Sequence, residues 1–104
     1  MVRRIPLMSR HSKISQEVAV HLATAMGVVF AGPAKAIALR TADGTIDVTA
    51  HGESYLSLGG AADLTVRTAD SIRTFHLENA NASIKEGRFT VIAETIRELE
   101  AESV

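Results

Sequence analysis

Four histidines, His11, His21, His51 and His76, are the side chains best suited to metal or acid–base chemistry. Their spacing argues against a local site. A metal held by one strand or helix wants ligands in H-x-H or H-x3-H pairs, and no two of these histidines stand that close. His51-Gly52-Glu53 places a carboxylate beside an imidazole but lacks the second nearby histidine that a cupin-like site would need. A metal assembled from distant strands is the alternative that spacing leaves open. None of the serines, Ser54 and Ser57 included, sits in a G-x-S-x-G elbow. Gly27, Gly32, Gly59 and Gly60 form neither a phosphate-cradling loop with a lysine nor a dinucleotide fingerprint. Asp43, Asp47 and Glu53 lie near one another in sequence and could form a carboxylate pair, but turn caps and solvated strand positions account for them much better. With no cysteine there is no disulfide, thiol nucleophile or thiolate metal site. Spacing therefore points to a domain that binds rather than catalyses, with no cofactor.

The elements that must carry these residues are β-strands. Residues 34–58 read as strand, tight turn, strand, corner, strand. Asp43-Gly44 between alternating segments is a strong hairpin signal. The aspartate is expected to close a local side-chain hydrogen bond and the glycine to accept a positive φ. Ile46 and Val48 then share one face, with Asp47 on the other. His51 to Ser54 form the next corner. Upstream, alternation in EVAVHLAT puts Val18, Val20 and Leu22 on one face and His21 on the other. Pro33 cannot donate to a ladder and marks a strand entry or an edge. Downstream, Leu64 and Val66 alternate with Asp63, Thr65 and Arg67. Residues 59–62 and 78–81 read as a flexible corner and a turn, Glu86-Gly87 as a hairpin turn, and RFTVIA as the closing strand.

About eight or nine short strands, with turns at intervals of roughly 6 to 12 residues, are the pattern of an antiparallel sandwich or barrel. The expected fold is all-β, a small antiparallel β-sandwich of two packed sheets. Residues 1–16 form a basic arm, with Arg3, Arg4, Arg10 and Lys13, expected to be flexible. Residues 17–94 form the sandwich. Residues 95–104 are helix-prone and are expected to form a short C-terminal helix at most, or a frayed tail. The core must be aliphatic, because the chain has three Phe, one Tyr and no Trp. Eleven basic against twelve acidic residues give no overall attraction to nucleic acid or anionic membrane. No apolar run approaches the roughly 20 residues of a bilayer span.

The order of these pieces resembles the N-terminal β-sandwich of the epsilon subunit of F-type ATP synthases, called delta in mitochondria. The resemblance is carried by VHLAT, Phe30-Ala31-Gly32, AKAIALR, Asp43-Gly44-Thr45-Ile46-Asp47-Val48 leading to His51, Tyr55-Leu56, Phe75, and the run from Gly87 to Glu94. It spans residues 18–94. The departures are a Thr49-Ala50 where the family has Pro-Gly before its histidine, Asn79-Ala80-Asn81-Ala82 in place of a Gly-Gly, and Thr45 where a carboxylate often follows the turn. The family's C-terminal helical hairpin would begin near Glu94, and the ten residues from Thr95 to Val104 are too short for it.

The resemblance implies a non-catalytic central-stalk subunit, coupling proton or sodium passage through the c-ring to rotation of the gamma subunit. Its partners would be gamma and the c-ring loops, with no nucleic acid. Its place would be peripheral, at the cytoplasmic face of the plasma membrane ahead of an organellar inner membrane. The expected contact residues are Asp43, Gly44 and Thr45 at the hairpin tip and His51, Glu53 and Ser54 at the corner. A free-standing sandwich adaptor in another complex, such as an RNA-polymerase accessory subunit, and a small-ligand or metal-binding β-barrel are the alternative classes.

Overall fold

The computed structural model describes residues 17–49 and 53–99. Every element in them is a strand: β1 (Val18–Thr24), β2 (Gly27–Ala34), β3 (Ala36–Thr41), β4 (Gly44–Val48), β5 (Ser54–Arg67), β6 (Ile72–Lys85) and β7 (Arg88–Leu99). The seven form one continuous sheet in the order β2-β1-β7-β6-β5-β3-β4. All neighbours are antiparallel except β1 and β7, which run parallel, with Val20 beside Phe89 and Leu22 beside Val91.

The all-β expectation holds, with two corrections. The sheet is mixed rather than wholly antiparallel, and the two expected sheets are two halves of one unbroken ladder. The strand count falls short of the eight or nine read from sequence because β5 and β6, at 14 residues each, run straight through the expected breaks.

Those breaks are bends. Leu58 pairs with Ala80 and Ala61 with Glu78, so Gly59 and Gly60 of β5 oppose the single residue Asn79 of β6. This two-against-one insertion is a β-bulge, which sharpens bending without ending the pairing. Gly60 has φ +86° and Asn79 φ +52°, a region that glycine enters freely and asparagine more readily than most residues. The Asn79 side chain ties the bend together. Its Oδ1 accepts from the Gly60 amide at 3.2 Å, and its Nδ2 donates to Glu94 of β7 at 2.7 Å. The buried face switches at this line, from Phe75 and Leu77 to Ala80, Ala82 and Ile84 along β6. The sheet thus creases through Gly60, Asn79 and Glu94 and folds back on itself.

The two halves enclose one core of Val18, Val20, Leu22, Ile37, Leu39, Leu64, Val66, Leu77 and Val91, with Phe75 and Phe89 as the aromatic anchors. Phe30 of β2 meets Phe75 of β6 at 5.7 Å between ring centroids, although these strands are not neighbours in the ladder. No buried position carries a polar or charged side chain among the described residues. The alternation read for β1 and β5 is confirmed: Val18, Val20, Leu22, Leu64 and Val66 are buried and His21 is not.

The helix expected to begin near Glu94 is a further correction, because β7 continues as strand to Leu99. Helix propensity in ETIREL is overruled by the ladder. Thr95 to Leu99 pair with Glu78 to Thr74 of β6, and Ile96 packs against the core. Residues 1–16 and 100–104, on which the arm and the rest of the tail were expected, lie outside the described residues.

Candidate functional site

The β3–β4 hairpin forms where the sequence predicts it, but by different local chemistry. The Thr41 hydroxyl accepts from the Asp43 amide at 3.1 Å and donates to the Gly44 carbonyl at 3.1 Å. The expected carboxylate of Asp43 is not the group that closes this turn. Gly44 has φ +133°, which an L side chain rarely adopts. Asp43, Gly44 and Thr45 are all exposed. The same threonine device recurs at two other turns, where Thr24 accepts from Met26 N at 3.0 Å and Thr68 from Asp70 N at 3.2 Å. Hydroxyl-closed turns of this kind satisfy backbone groups that the ladder leaves free.

At the other end of β4, Glu53 is exposed and Ser54 opens β5 opposite Ile84. His51 lies outside the described residues. The expected contact residues therefore divide between two places, Asp43 to Thr45 where β4 begins and Glu53 and Ser54 just beyond where it ends. An open groove of about 150 Å³ runs beside the second place, lined by Ile46, Val48, Ser54, Leu56, Ile84 and Phe89 among others. It is smaller than the roughly 300 Å³ at which small-molecule pockets begin.

Sequence reasoning missed the strongest polar arrangement. Arg40, Asp63 and His76 stand side by side across β3, β5 and β6. Asp63 Oδ1 lies 2.8 Å from His76 Nδ1, and Arg40 Nη2 lies 3.4 Å from Asp63 Oδ2. His76 Nε2 faces Glu78 Oε2 at 3.5 Å. The His76 hydrogen bond, aided by Arg40, holds the Asp63 carboxyl below its ordinary value against the opposing effect of burial. An Asp–His pair resembles part of a hydrolytic relay, but such a relay needs a nucleophile on the second ring nitrogen. Here that nitrogen faces another carboxylate, so the arrangement is an ion-pair rung. The signal was present as alternating polar positions on β3, β5 and β6, but the pairing required the register.

A second rung closes the rim of the core. Arg73 donates from Nε and Nη2 to the two carboxylate oxygens of Glu98, both at 2.8 Å. Its guanidinium also lies over the rings of Phe30 and Phe75, 4.8 and 5.5 Å from their centroids. The bidentate bond lowers the Glu98 pKa and raises that of Arg73. Among the described residues no three His, Asp or Glu side chains converge as a metal ion would require.

Part of the exposed apolar surface lies near the β1–β2 turn, while Ile46, Tyr55 and Ile72 are exposed elsewhere. Met26 is 95% exposed at the turn, and Val28 and Ile92 flank Ala23 across β2, β1 and β7. A rim of this kind on a sheet whose core is otherwise closed suits contact with another macromolecule.

Taken together, fold and surface define a small all-β module with two ion-pair rungs on its sheet. No family model and no curated protein matches the sequence. Solved structures match the fold. A chain of the Euglena gracilis mitochondrial ATP synthase, in a cryo-EM structure of OSCP, F1 and c-ring in rotational state 1, is similar with a TM-score of 0.70. The match has 19% identity and covers 86% of this chain and 57% of that one. A chain of the Tetrahymena thermophila mitochondrial ATP synthase, in a structure of central stalk and c-ring, matches with a TM-score of 0.61. It has 11% identity and covers 76% of this chain and 64% of that one. This chain spans less than two thirds of the length of either. At these identities the likeness is one of fold.

Proposed function

We propose that this chain is an epsilon-like (mitochondrial delta-like) central-stalk subunit of an F-type ATP synthase. It serves as a non-catalytic part that couples proton or sodium movement through the c-ring to rotation of gamma. The observation that carries the reading is the fold likeness to chains of two ATP synthase structures, one of them a central stalk with its c-ring. The motif order from VHLAT to the Gly87–Glu94 run supports it independently.

A coupling part needs a stiff body, an apolar patch and a few polar contacts, with no reactive group. The creased single sheet supplies the body, and the Met26, Val28 and Ile92 rim supplies an apolar patch for the rotor shaft. Asp43, Gly44 and Thr45 at the hairpin tip, with His51, Glu53 and Ser54 at the corner, are the proposed polar contacts. The subunit would sit peripherally on the membrane that holds the c-ring.

The test is co-expression of the tagged chain with gamma from the same organism, followed by affinity capture and gel filtration. A single peak holding both in equal amounts is expected. Separate elution at micromolar concentrations would overturn the proposal.

A further inference from the structure

On the outer face of the β6–β7–β1 half, the ladder brings together in one small area five polar side chains that have no side-chain partner among the described residues. Ser83 pairs with Thr90 and Thr90 lies beside His21, which sets two hydroxyls and an imidazole along one rung. The next rung sets Lys85 directly opposite Arg88, at the last pair before the Glu86–Gly87 turn. Neighbouring strands are about 4.8 Å apart and same-face residues along a strand about 7 Å apart. The five groups thus surround a spot the size of one tetrahedral anion and its donors. Two shallow concavities that share Arg88 and Thr90 lie here, one reaching His21 and the other Ser83 and Lys85.

The second rung is the anomaly. Like charges directly opposite each other in an antiparallel pair destabilise it. Lys35 pairs with Glu17, Arg40 with Asp63 and Arg73 with Glu98, while Arg67 and Arg97 stand without an ion pair among the described residues but face no second lysine or arginine across the ladder. Among the described residues neither Lys85 nor Arg88 forms an ion pair, although Glu86 lines the same concavity. The rung therefore lacks its counter-charge.

We propose that this face binds a phosphate group, with Arg88 and Lys85 neutralising the oxyanion and Ser83, Thr90 and His21 donating to its remaining oxygens. Guanidinium and ammonium groups are the donors that phosphate oxygens take most strongly. An open site gives weak binding, on the order of millimolar, because exposed ion pairs each contribute little. The inference stands apart from the ATP synthase reading and uses none of its contact residues.

The experiment titrates the full chain with sodium phosphate while backbone amide resonances are followed, against sodium chloride at matched ionic strength. Saturable shifts confined to the neighbourhoods of His21, Ser83, Lys85, Arg88 and Thr90 are expected in phosphate alone. The Lys85→Gln, Arg88→Gln double variant should bind about tenfold more weakly or worse. Identical shifts in chloride, or an unchanged titration in the double variant, overturn the site. If the double variant does not fold, Arg88→Gln alone carries the comparison, with weakened binding expected and unchanged binding overturning the proposal. A further reading comes from melting. Without phosphate, Lys85→Gln should melt no lower than the parent because it removes the repulsion, and phosphate should then raise its melting temperature less. Sedimentation with phosphatidylcholine vesicles, with and without phosphatidic acid, separates the sources. Retention on the acidic vesicles that the variant loses assigns a lipid headgroup, and a saturable phosphate response without retention assigns a soluble phosphate. The absence of both responses overturns the proposal.

Discussion

Arg73 shows how one side chain can serve the core and the surface together. Its guanidinium covers the edge of the Phe30–Phe75 pair and its donors are fixed by Glu98. Arg73→Ala removes both contacts and is expected to destabilise the fold by about 1–2 kcal/mol. That corresponds to a drop in melting temperature of about 4–8 °C per kcal/mol for a domain of this size. Arg73→Lys keeps the charge but loses the fork and the planar stacking, so it should recover less than half of the loss. Full recovery by lysine would mean that charge alone matters there. Asp63 gives a pH prediction. Its folded-state pKa lies below the ordinary value of 3.8, so its contribution is complete above that value and is lost as pH falls through the lower folded-state value. Asp63→Asn should therefore melt lower than the parent at neutral pH, by up to about 1 kcal/mol in stability. The two melting curves should converge as pH falls below 3.8. Curves that stay parallel down to about pH 2 would refute the linkage.

At the scale of the element, the crease depends on Asn79. Alanine at this position would keep the strained φ and lose the bonds to Gly60 and Glu94, an expected cost of about 2–3 kcal/mol. Glycine would relieve the backbone and lose only the bonds, so Asn79→Gly should melt between the parent and Asn79→Ala. Asn79→Gly melting at or above the parent would show that the side-chain bonds are unimportant. This element also shows what the sequence could disclose. Alternation in β1 and in Asp63–Arg67 was legible because one face of each is buried. The Asp43-Gly44 hairpin was legible because few residues accept its backbone. Gly59-Gly60 and Asn79-Ala80 carried the correct signal of a chain changing direction. A bulge and a turn use the same residue types, and only the register across three strands separates them. The turn chemistry had its own trace, since Thr-Ala opens the turns at residues 24, 41 and 68. The ion-pair rungs left only alternating polar positions, because Arg40, Asp63 and His76 are joined by register and not by spacing. Propensity misled at ETIREL, where pairing with β6 and the burial of Ile96 outweigh helix preference.

At the scale of the molecule, the parallel β1–β7 contact fastens the N-terminal hairpin to the last strand and leaves β2 and β4 as the sheet's two edges. Among the described residues, the proposed contact residues lie near the two ends of β4. Asp43 to Thr45 lie at the turn from β3, and Glu53 and Ser54 lie past Val48. A single flat contact at one end of β4 does not take both sets. The corner has the richer set of donors and acceptors, with His51, Glu53 and Ser54 against one carboxylate at the tip, and recognition residues concentrate on loops held by rigid strands. In the ATP synthase reading the corner is therefore the surface that meets the c-ring loops. Glu53→Lys should weaken capture of a detergent-purified c-ring by the chain–gamma complex, and Asp43→Lys should leave that capture unchanged. Both substitutions are at exposed positions and should alter stability by no more than about 0.5 kcal/mol, so equal melting curves accompany the expected result. Loss of capture on Asp43→Lys with none on Glu53→Lys would move the contact to the tip. If the His51→Ala, Glu53→Lys double variant captures the ring as well as the parent does, the corner is not the contact.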